Sequence, residues 1–131
     1  MATPKTADAL DAATEDENLR ITTAFIAASN ALGDAIVALR RFEAVTFDHA
    51  TLDDIVLERR RLEDEAGANE RAFVAYMDGS IGMHPPEPGD VAAIVALAGE
   101  LALLTQKKVQ AAAVIQLANK VNAQFQAIKG T

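Results

Sequence analysis

The sequence predicts an all-α protein, built as a single antiparallel bundle of three long helices with a short N-terminal arm. Half of the 131 residues are apolar but only 5% are aromatic. Ala, Leu, Val and Ile therefore supply most of the apolar surface, and Ala and Leu are strong helix formers. Most of the few prolines lie in one segment, residues 79–89. Elsewhere, apolar residues recur at alternating spacings of three and four, the period of a helix that buries one face.

The first long helix is expected to follow an N-terminal arm. Residues 1–14 are predicted to form this polar arm, and residues 15–131 the helical-bundle domain. Thr14 and Glu17 make a capping-box pattern, in which each side chain satisfies a backbone N–H that the first turn leaves unpaired. The first helix should therefore span residues 15–45. Its apolar stripe consists of Ile21, Phe25, Ala28, Leu32, Ala35, Leu39 and Phe42.

The second helix is expected over residues 51–78, after a short turn at residues 46–50. Thr51 and Asp54 give another capping-box pattern, with Asp in place of Glu. A turn this short makes the two helices antiparallel neighbours. The stripe of the second helix consists of Leu52, Ile55, Arg59, Leu62, Ala66, Asn69, Phe73 and Tyr76.

The third helix is expected over residues 90–128, after the Pro/Gly-rich loop at residues 79–89 and with Gly130 as its C-terminal cap. At 1.5 Å per residue it would be roughly 58 Å long, against roughly 42 Å for the second helix. The third helix should therefore extend past the second. Three apolar residues near its end would then lack a neighbour within the chain: Val121, Phe125 and Ile128.

Three glycines lie inside the predicted helices, at Gly33, Gly67 and Gly99. A glycine in a helix interior costs about 1 kcal/mol relative to alanine, so its presence calls for a structural reason. We expect Gly33 and Gly99 to allow close packing of helix backbones, and Gly67 to allow a kink.

The charge pattern limits the classes of partner. Net charge is −7, with −10 on residues 1–90 and +3 on residues 91–131. Such an acidic surface repels phosphate backbones, which argues against nucleic-acid binding. The most apolar stretch, Val91 to Leu104, is shorter than the roughly 18–20 residues of a membrane span. The N-terminus lacks an apolar signal core and the chain has no cysteine, so a cytoplasmic protein without a membrane partner is expected.

The sequence contains few residues suited to catalysis. Helical di-metal sites need inward carboxylates and Glu-x-x-His pairs. The two histidines, His49 and His84, lie in predicted loops, and neither follows a Glu at that spacing. No Gly-rich phosphate loop, nucleophile elbow or zinc spacing occurs. We therefore expect a non-enzymatic protein with no cofactor and no metal ion.

Arg59 lies on the apolar stripe of the second helix, where a charged residue is unusual. Its guanidinium could bind an anion or a carboxylate of a protein partner. Alternatively, its stem covers apolar surface while the guanidinium reaches Glu63, Asp54 or Asp53 at helical spacing. The second interpretation needs no ligand. Both interpretations remain open from the sequence.

The segment around the start of the second helix carries a family resemblance. Phe47-Asp48-(x)3-Leu52-(x)2-Ile55-(x)2-Glu58-Arg59-(x)2-Leu62 resembles a segment of flagellar-type export chaperones, which are small, acidic, helical cytoplasmic proteins. The resemblance implies that a long C-terminal helix binds export substrates through an apolar face. On this chain that partner-binding face would consist of Val114, Leu117, Val121, Phe125 and Ile128.

The sequence thus predicts a protein that binds other proteins, with an export chaperone or adaptor as the most specific form. Self-association, for example as a homodimer, is a further expectation from the unpaired apolar face. Two alternatives remain. The acidic balance suits an inhibitor or immunity-type protein that occupies a basic site, and the helical architecture suits a structural subunit of a phage or secretion assembly.

Overall fold

The fold is all-α, as predicted, but it has four helices rather than three. The computed structural model describes residues 7–107 and 110–130, with side chains described from residue 15 onward. Within these residues the elements are α1 (Ala7–Val45), α2 (His49–Met77), α3 (Pro88–Leu104) and α4 (Ala111–Lys129).

Two helix starts differ from the sequence prediction. Helix α1 begins at Ala7 rather than near residue 15, because the Ala- and Leu-rich stretch upstream of Thr14 continues the helix. The predicted arm over residues 1–14 is therefore partly helical. Helix α2 begins at His49 because Asp48, not Thr51, is its N-cap: the Asp48 carboxylate accepts from the Thr51 backbone N–H at 2.9 Å and from the Thr51 hydroxyl at 2.6 Å.

The predicted third helix is two helices, α3 and α4. Helix α3 ends at Leu104, and its C-cap is Thr105, whose hydroxyl donates to the Ala102 carbonyl at 2.9 Å. Helix α4 restarts after Gln110, which has extended backbone angles. The sequence signal was weak, because the polar residues after Leu104 do not themselves break a helix. The chain turns here because folding α4 back buries its apolar stripe, which a single long helix would leave in water.

Helix α1 is the centre of the bundle and contacts the other three helices. Helix α4 lies between α2 and α3, which do not contact each other. The chain runs up α1, down α2, up α3 and down α4. Residues near the α1 N-terminus therefore approach the end of α2, as in the hydrogen bond from Tyr76 to Asn18. Helix α3 occupies an outer corner, with α1 and α4 as its neighbours.

Small residues on α1 allow this central position. Ala24, Ala28, Ala31 and Ala35 are completely buried, so neighbouring helices approach the α1 backbone closely. Larger side chains then fill the ends of the core. Phe25 is the centre of an aromatic cluster: it stacks on Phe73 with ring centroids 4.1 Å apart and meets Phe125 at 5.8 Å.

The apolar face predicted to bind a partner is buried inside the chain. Val114, Val121 and Phe125 have no exposed area, and Ile128 is 6% exposed. Leu117 is half-buried against the same core. The expectation that α4 leaves this face uncovered is therefore wrong. The physical reason is the turn before Ala111. Because of this turn, no single long helix extends past α2, and α4 packs against α1 instead.

The connection from α2 to α3 closes one end of the bundle. The His84 backbone N–H donates to the Ile128 carbonyl at 2.8 Å, which satisfies a carbonyl in the last turn of α4. The Arg20 guanidinium donates to the Pro86 carbonyl at 2.5 Å. Gly130 caps α4 in the left-handed conformation, as predicted. The connection from α2 to α3 therefore holds the last turn of α4 at this end of the bundle.

A polar network joins α2 to α4 within the core. The Asn69 side-chain amide donates to the Asn122 Oδ1 at 3.1 Å, and the Lys129 ammonium donates to the Asn69 Oδ1 at 2.9 Å. Both asparagines are buried. Because each amide needs a partner at one level of the other helix, the pair fixes the register of these two parallel helices.

We expect Asn122→Ala to lower the free energy of unfolding by about 1–3 kcal/mol, because the buried Asn69 amide loses its acceptor. Urea unfolding of the two proteins measures the difference. Gln124→Ala is the matched control, since Gln124 lies on the same helix and is exposed. An Asn122 variant as stable as the Gln124 variant would contradict the role of the network.

Candidate partner-docking groove

Helix α3 is apolar on every side, although it lies at an outer corner of the bundle. Its only charged residues are Asp90 and Glu100. Ile94 and Leu101 face the core and are buried, whereas Val95 and Leu103 on the opposite side are 46% and 61% exposed. A helix that is apolar all round is normally buried on all sides. Here the rest of the chain covers one side of α3 and leaves the other exposed.

The exposed side of α3 forms one wall of a groove, and α1 forms the other. The groove encloses about 730 Å³. Because α1 and α3 run parallel, the groove lies between the middle of α1, from Thr23 to Asp34, and the second half of α3, from Val95 to Ala102. Apolar and small residues make up most of its lining: Ile26, Ala27, Gly33, Val95, Ala98, Gly99 and Ala102. Its shape and chemistry suit the apolar side of another helix.

Gly33 on α1 and Gly99 on α3 line this groove from opposite sides. Neither glycine is needed to let another part of the chain approach closely. A Cβ atom added at either position would meet nothing within 4 Å. The expectation that they allow packing between helices of this chain is therefore wrong. Gly67 differs, since its added Cβ would lie 3.3 Å from the Arg71 guanidinium, and α2 continues through it without a break. The two groove glycines thus leave open space in the groove, at positions that no other part of the described chain approaches.

The polar lining of the groove is uncharged except for one carboxylate. Thr23, Ser29 and Asn30 contribute hydroxyl and amide groups, and Asp34 is the one charged residue in the lining. In the described part of the chain, Asp34 forms no ion pair, and no Lys or Arg lines the groove. The groove is therefore apolar, with a single carboxylate in its lining.

Arg59, the other site residue predicted from the sequence, joins α2 to α1. Its guanidinium donates to both carboxylate oxygens of Glu43, at 2.5 and 3.1 Å, and to Glu63 at 2.7 Å. These bonds raise the pKa of Arg59, chiefly through the Glu43 hydrogen bonds. Arg40 adds a bond to Glu63 at 2.9 Å. The predicted Glu63 contact is present, and Glu43 replaces the predicted aspartates. The guanidinium is thus occupied within the chain.

We expect the protein to lose stability in acid partly through Glu63. Hydrogen bonding from Arg59 lowers the pKa of Glu63 below its ordinary value of 4.5. The folded state then binds fewer protons than the unfolded state, so this contribution is complete above that value and is lost as pH falls through the lower, folded-state pKa. Urea unfolding at a series of pH values should show a smaller acid-dependent loss for Glu63→Gln. An unchanged pH dependence would contradict this assignment.

The segment that resembles flagellar-type export chaperones has structural contacts throughout most of its length. Asp48 caps α2, Ile55 and Leu62 are buried in the core, and Glu58 pairs with Arg61 at 2.7 Å. Phe47 is the exception, because it is 92% exposed. These contacts explain the residues of the segment as the start and inner face of a helix that packs against α1.

No group of three or more His, Cys, Asp or Glu side chains could hold a metal ion in the described residues. One helical segment within the same residues, Glu15–Val45 of α1, is long and apolar enough to cross a membrane, and 44% of its apolar 18-residue window is buried inside the bundle. Core helices of bundles meet the same criterion. No protein-family model matches this chain, and neither a curated protein nor a solved structure matches it. The fold and groove define a class, an all-α bundle with an open apolar groove.

Proposed function

We propose that this chain is a non-enzymatic protein-binding bundle whose α1–α3 groove receives a helix of a protein partner. The observation that carries the proposal is helix α3, which is apolar on all sides but covered on one. Val95 on this helix and Ile26 on α1 both line the groove and are 46% and 51% exposed, so a partner helix in the groove would remove apolar surface from water.

The two groove glycines support a helical partner in particular. Each weakens its own helix relative to alanine, and neither has a packing role within the chain. A partner helix whose backbone lies close to Gly33 and Gly99 would explain why neither position carries a side chain. Helix-in-groove recognition works in this way, with an apolar face lying between two helices. An export chaperone or adaptor in the cytoplasm is the most specific form of this proposal.

Site-specific photo-crosslinking in the native host tests the proposal. A photoreactive residue replaces Val95 in the groove, and in a control it replaces Leu57, which is 66% exposed on α2. We expect a covalent adduct with a different protein at position 95 and none at position 57. The adduct should disappear when Gly33→Ala and Gly99→Ala are introduced into the same chain, because their methyl groups narrow the groove.

Three results would contradict the proposal. The first is no adduct at position 95, and the second is an equal yield of the same adduct at position 57. The third is an adduct of two copies of this chain, which would assign the groove to self-association instead.

A further inference from the structure

A separate cavity lies at the end of the bundle where α1 ends and α4 begins. It encloses about 480 Å³, within the range of small-molecule sites, about 300–1,000 Å³. Three parts of the chain surround this end cavity: the last two turns of α1, the connection from α3 to α4, and the first turn of α4. Its described lining shares no residue with the α1–α3 groove and consists of Ala38, Arg41, Phe42, Val45, Thr105, Lys107, Gln110 and Val114.

Four apolar side chains form the apolar wall of the end cavity: Ala38, Phe42, Val45 and Val114. Val114 and Ala38 are buried and belong to the core, and Phe42 is half-buried against it. Val45 is 66% exposed. An alkyl chain that lies along this wall would therefore remove apolar surface from water.

Two cations, Arg41 and Lys107, line the same cavity, whereas no Asp or Glu among the described residues does. Within that part of the chain neither cation forms an ion pair. On a helix, ion-pair partners lie three or four positions away. Around Arg41 those positions hold only Ala or Val: Val37, Ala38, Ala44 and Val45.

The acids nearest to Arg41 in the chain are engaged elsewhere. Glu43 pairs with Arg59, and Arg40 pairs with Glu63, so these four side chains join α1 to α2. Residues 101–131 contain no Asp or Glu, so the segment around Lys107 supplies no carboxylate. The end cavity is therefore locally positive, although the chain as a whole has a net charge of −7.

One neutral donor adds to the two cations. Gln110 lines the cavity at the N-cap position of α4, and its side chain makes no capping hydrogen bond to that helix. Its amide N–H groups can therefore donate to a ligand. Apolar walls with a few convergent polar groups are typical of small-molecule sites, in which the polar groups fix the orientation of the ligand.

We propose that the end cavity binds a small amphipathic carboxylate, such as a medium-chain fatty acid, with its head group between Arg41 and Lys107 and its alkyl chain along the apolar wall. A guanidinium donates two parallel hydrogen bonds to one carboxylate, and an ammonium adds a point charge. The inference goes beyond the proposed function and is independent of it, because the two sites share no lining residue.

An NMR titration of the full-length chain with octanoate tests the inference. Affinity is measured from the amide shifts of Phe42, Gln110 and Val114. Octylamine and octanol are the matched ligands, since they carry the same alkyl chain with a cationic or a neutral head group. We expect octanoate to bind at least about tenfold more tightly than either. Butanoate should also bind at least about tenfold more weakly than octanoate, because its shorter chain buries less apolar surface.

Replacement of both cations, Arg41→Gln with Lys107→Gln, should weaken octanoate at least about tenfold and leave the affinity for octanol unchanged. Unchanged octanol binding shows that the cavity itself is intact. The matched charge control is Arg60→Gln with Arg71→Gln, at two exposed positions on α2 that form no ion pair in the described residues. This control should bind octanoate as the unmodified chain does.

Three outcomes of the titration would overturn the inference. The first is an absence of shifts at the three amides at millimolar octanoate, and the second is equal affinity for octanoate and octanol. The third is an equal loss of octanoate affinity in both double variants, because binding would then follow net charge alone.

Sedimentation with phosphatidylglycerol vesicles distinguishes a free amphipathic carboxylate from an anionic membrane surface. We expect no sedimentation of the chain with these vesicles. A chain that binds the vesicles but not octanoate would assign Arg41 and Lys107 to a membrane surface and overturn the inference. The crosslink at position 95 reports on the α1–α3 groove whichever result is obtained.

Discussion

Replacement of Phe125 by alanine is expected to lower the free energy of unfolding by about 3–5 kcal/mol, the largest single effect predicted for this chain. Phe125 is completely buried on α4 and meets Phe25 at a centroid distance of 5.8 Å. Removal of the ring loses its burial and leaves a cavity that the aromatic cluster cannot fill without moving. Denaturation by urea, followed by far-ultraviolet circular dichroism, measures the loss.

The Phe125 experiment also distinguishes the two roles considered for the apolar face of α4. If that face were an open partner site, Phe125→Ala would leave the stability of the isolated chain nearly unchanged. The control is Leu57→Ala, a similar truncation at a position that is 66% exposed, for which a change within about 0.5 kcal/mol is expected. Equal stability of the two variants would contradict the buried position of Phe125.

Replacement of both groove glycines, Gly33→Ala with Gly99→Ala, is expected to separate stability from binding. Each substitution should raise the free energy of unfolding by about 0.5–1 kcal/mol, because alanine is the better helix former and its Cβ meets nothing within 4 Å. The same methyl groups occupy the space of a partner backbone. The affinity of the groove for the partner helix should therefore fall at least about tenfold, a typical effect of overpacking an interface.

Opposite signs for stability and affinity make this result informative. A variant that binds poorly because it is unfolded would lose stability, whereas this one should gain it. Gly67→Ala on α2 is the control, because it also removes a helix-interior glycine but lies outside the groove. It should leave affinity unchanged. Undiminished partner binding by the Gly33/Gly99 variant would contradict the docking surface.

Local features were largely predictable from the sequence. The residues of the α2 stripe are those that face the core, because burial of Ile55, Leu62 and Asn69 follows from the period of the helix. The cap at Gly130 follows from the freedom of glycine to adopt a left-handed conformation. Each of these properties depends on residues within a few positions in the chain.

The candidate site was not predictable in this way. The apolar character of Val91–Leu104 is evident from the sequence, but it indicated only that this helix has apolar surface to bury. It did not show which side of the helix the rest of the chain buries. The sequence pattern instead predicted an open face at Val121, Phe125 and Ile128, since an unbroken third helix would have extended past its neighbour.

The amino-acid sequence by itself determined that this protein is helical, acidic and apolar along regular stripes, because composition and periodicity act within single helices. Only the tertiary structure decided which stripes are covered. The turn after Leu104 folds α4 against α1 and places α3 at the outer corner. Burial depends on neighbours distant in the chain, so the same apolar pattern became core on α4 and an open groove beside α3.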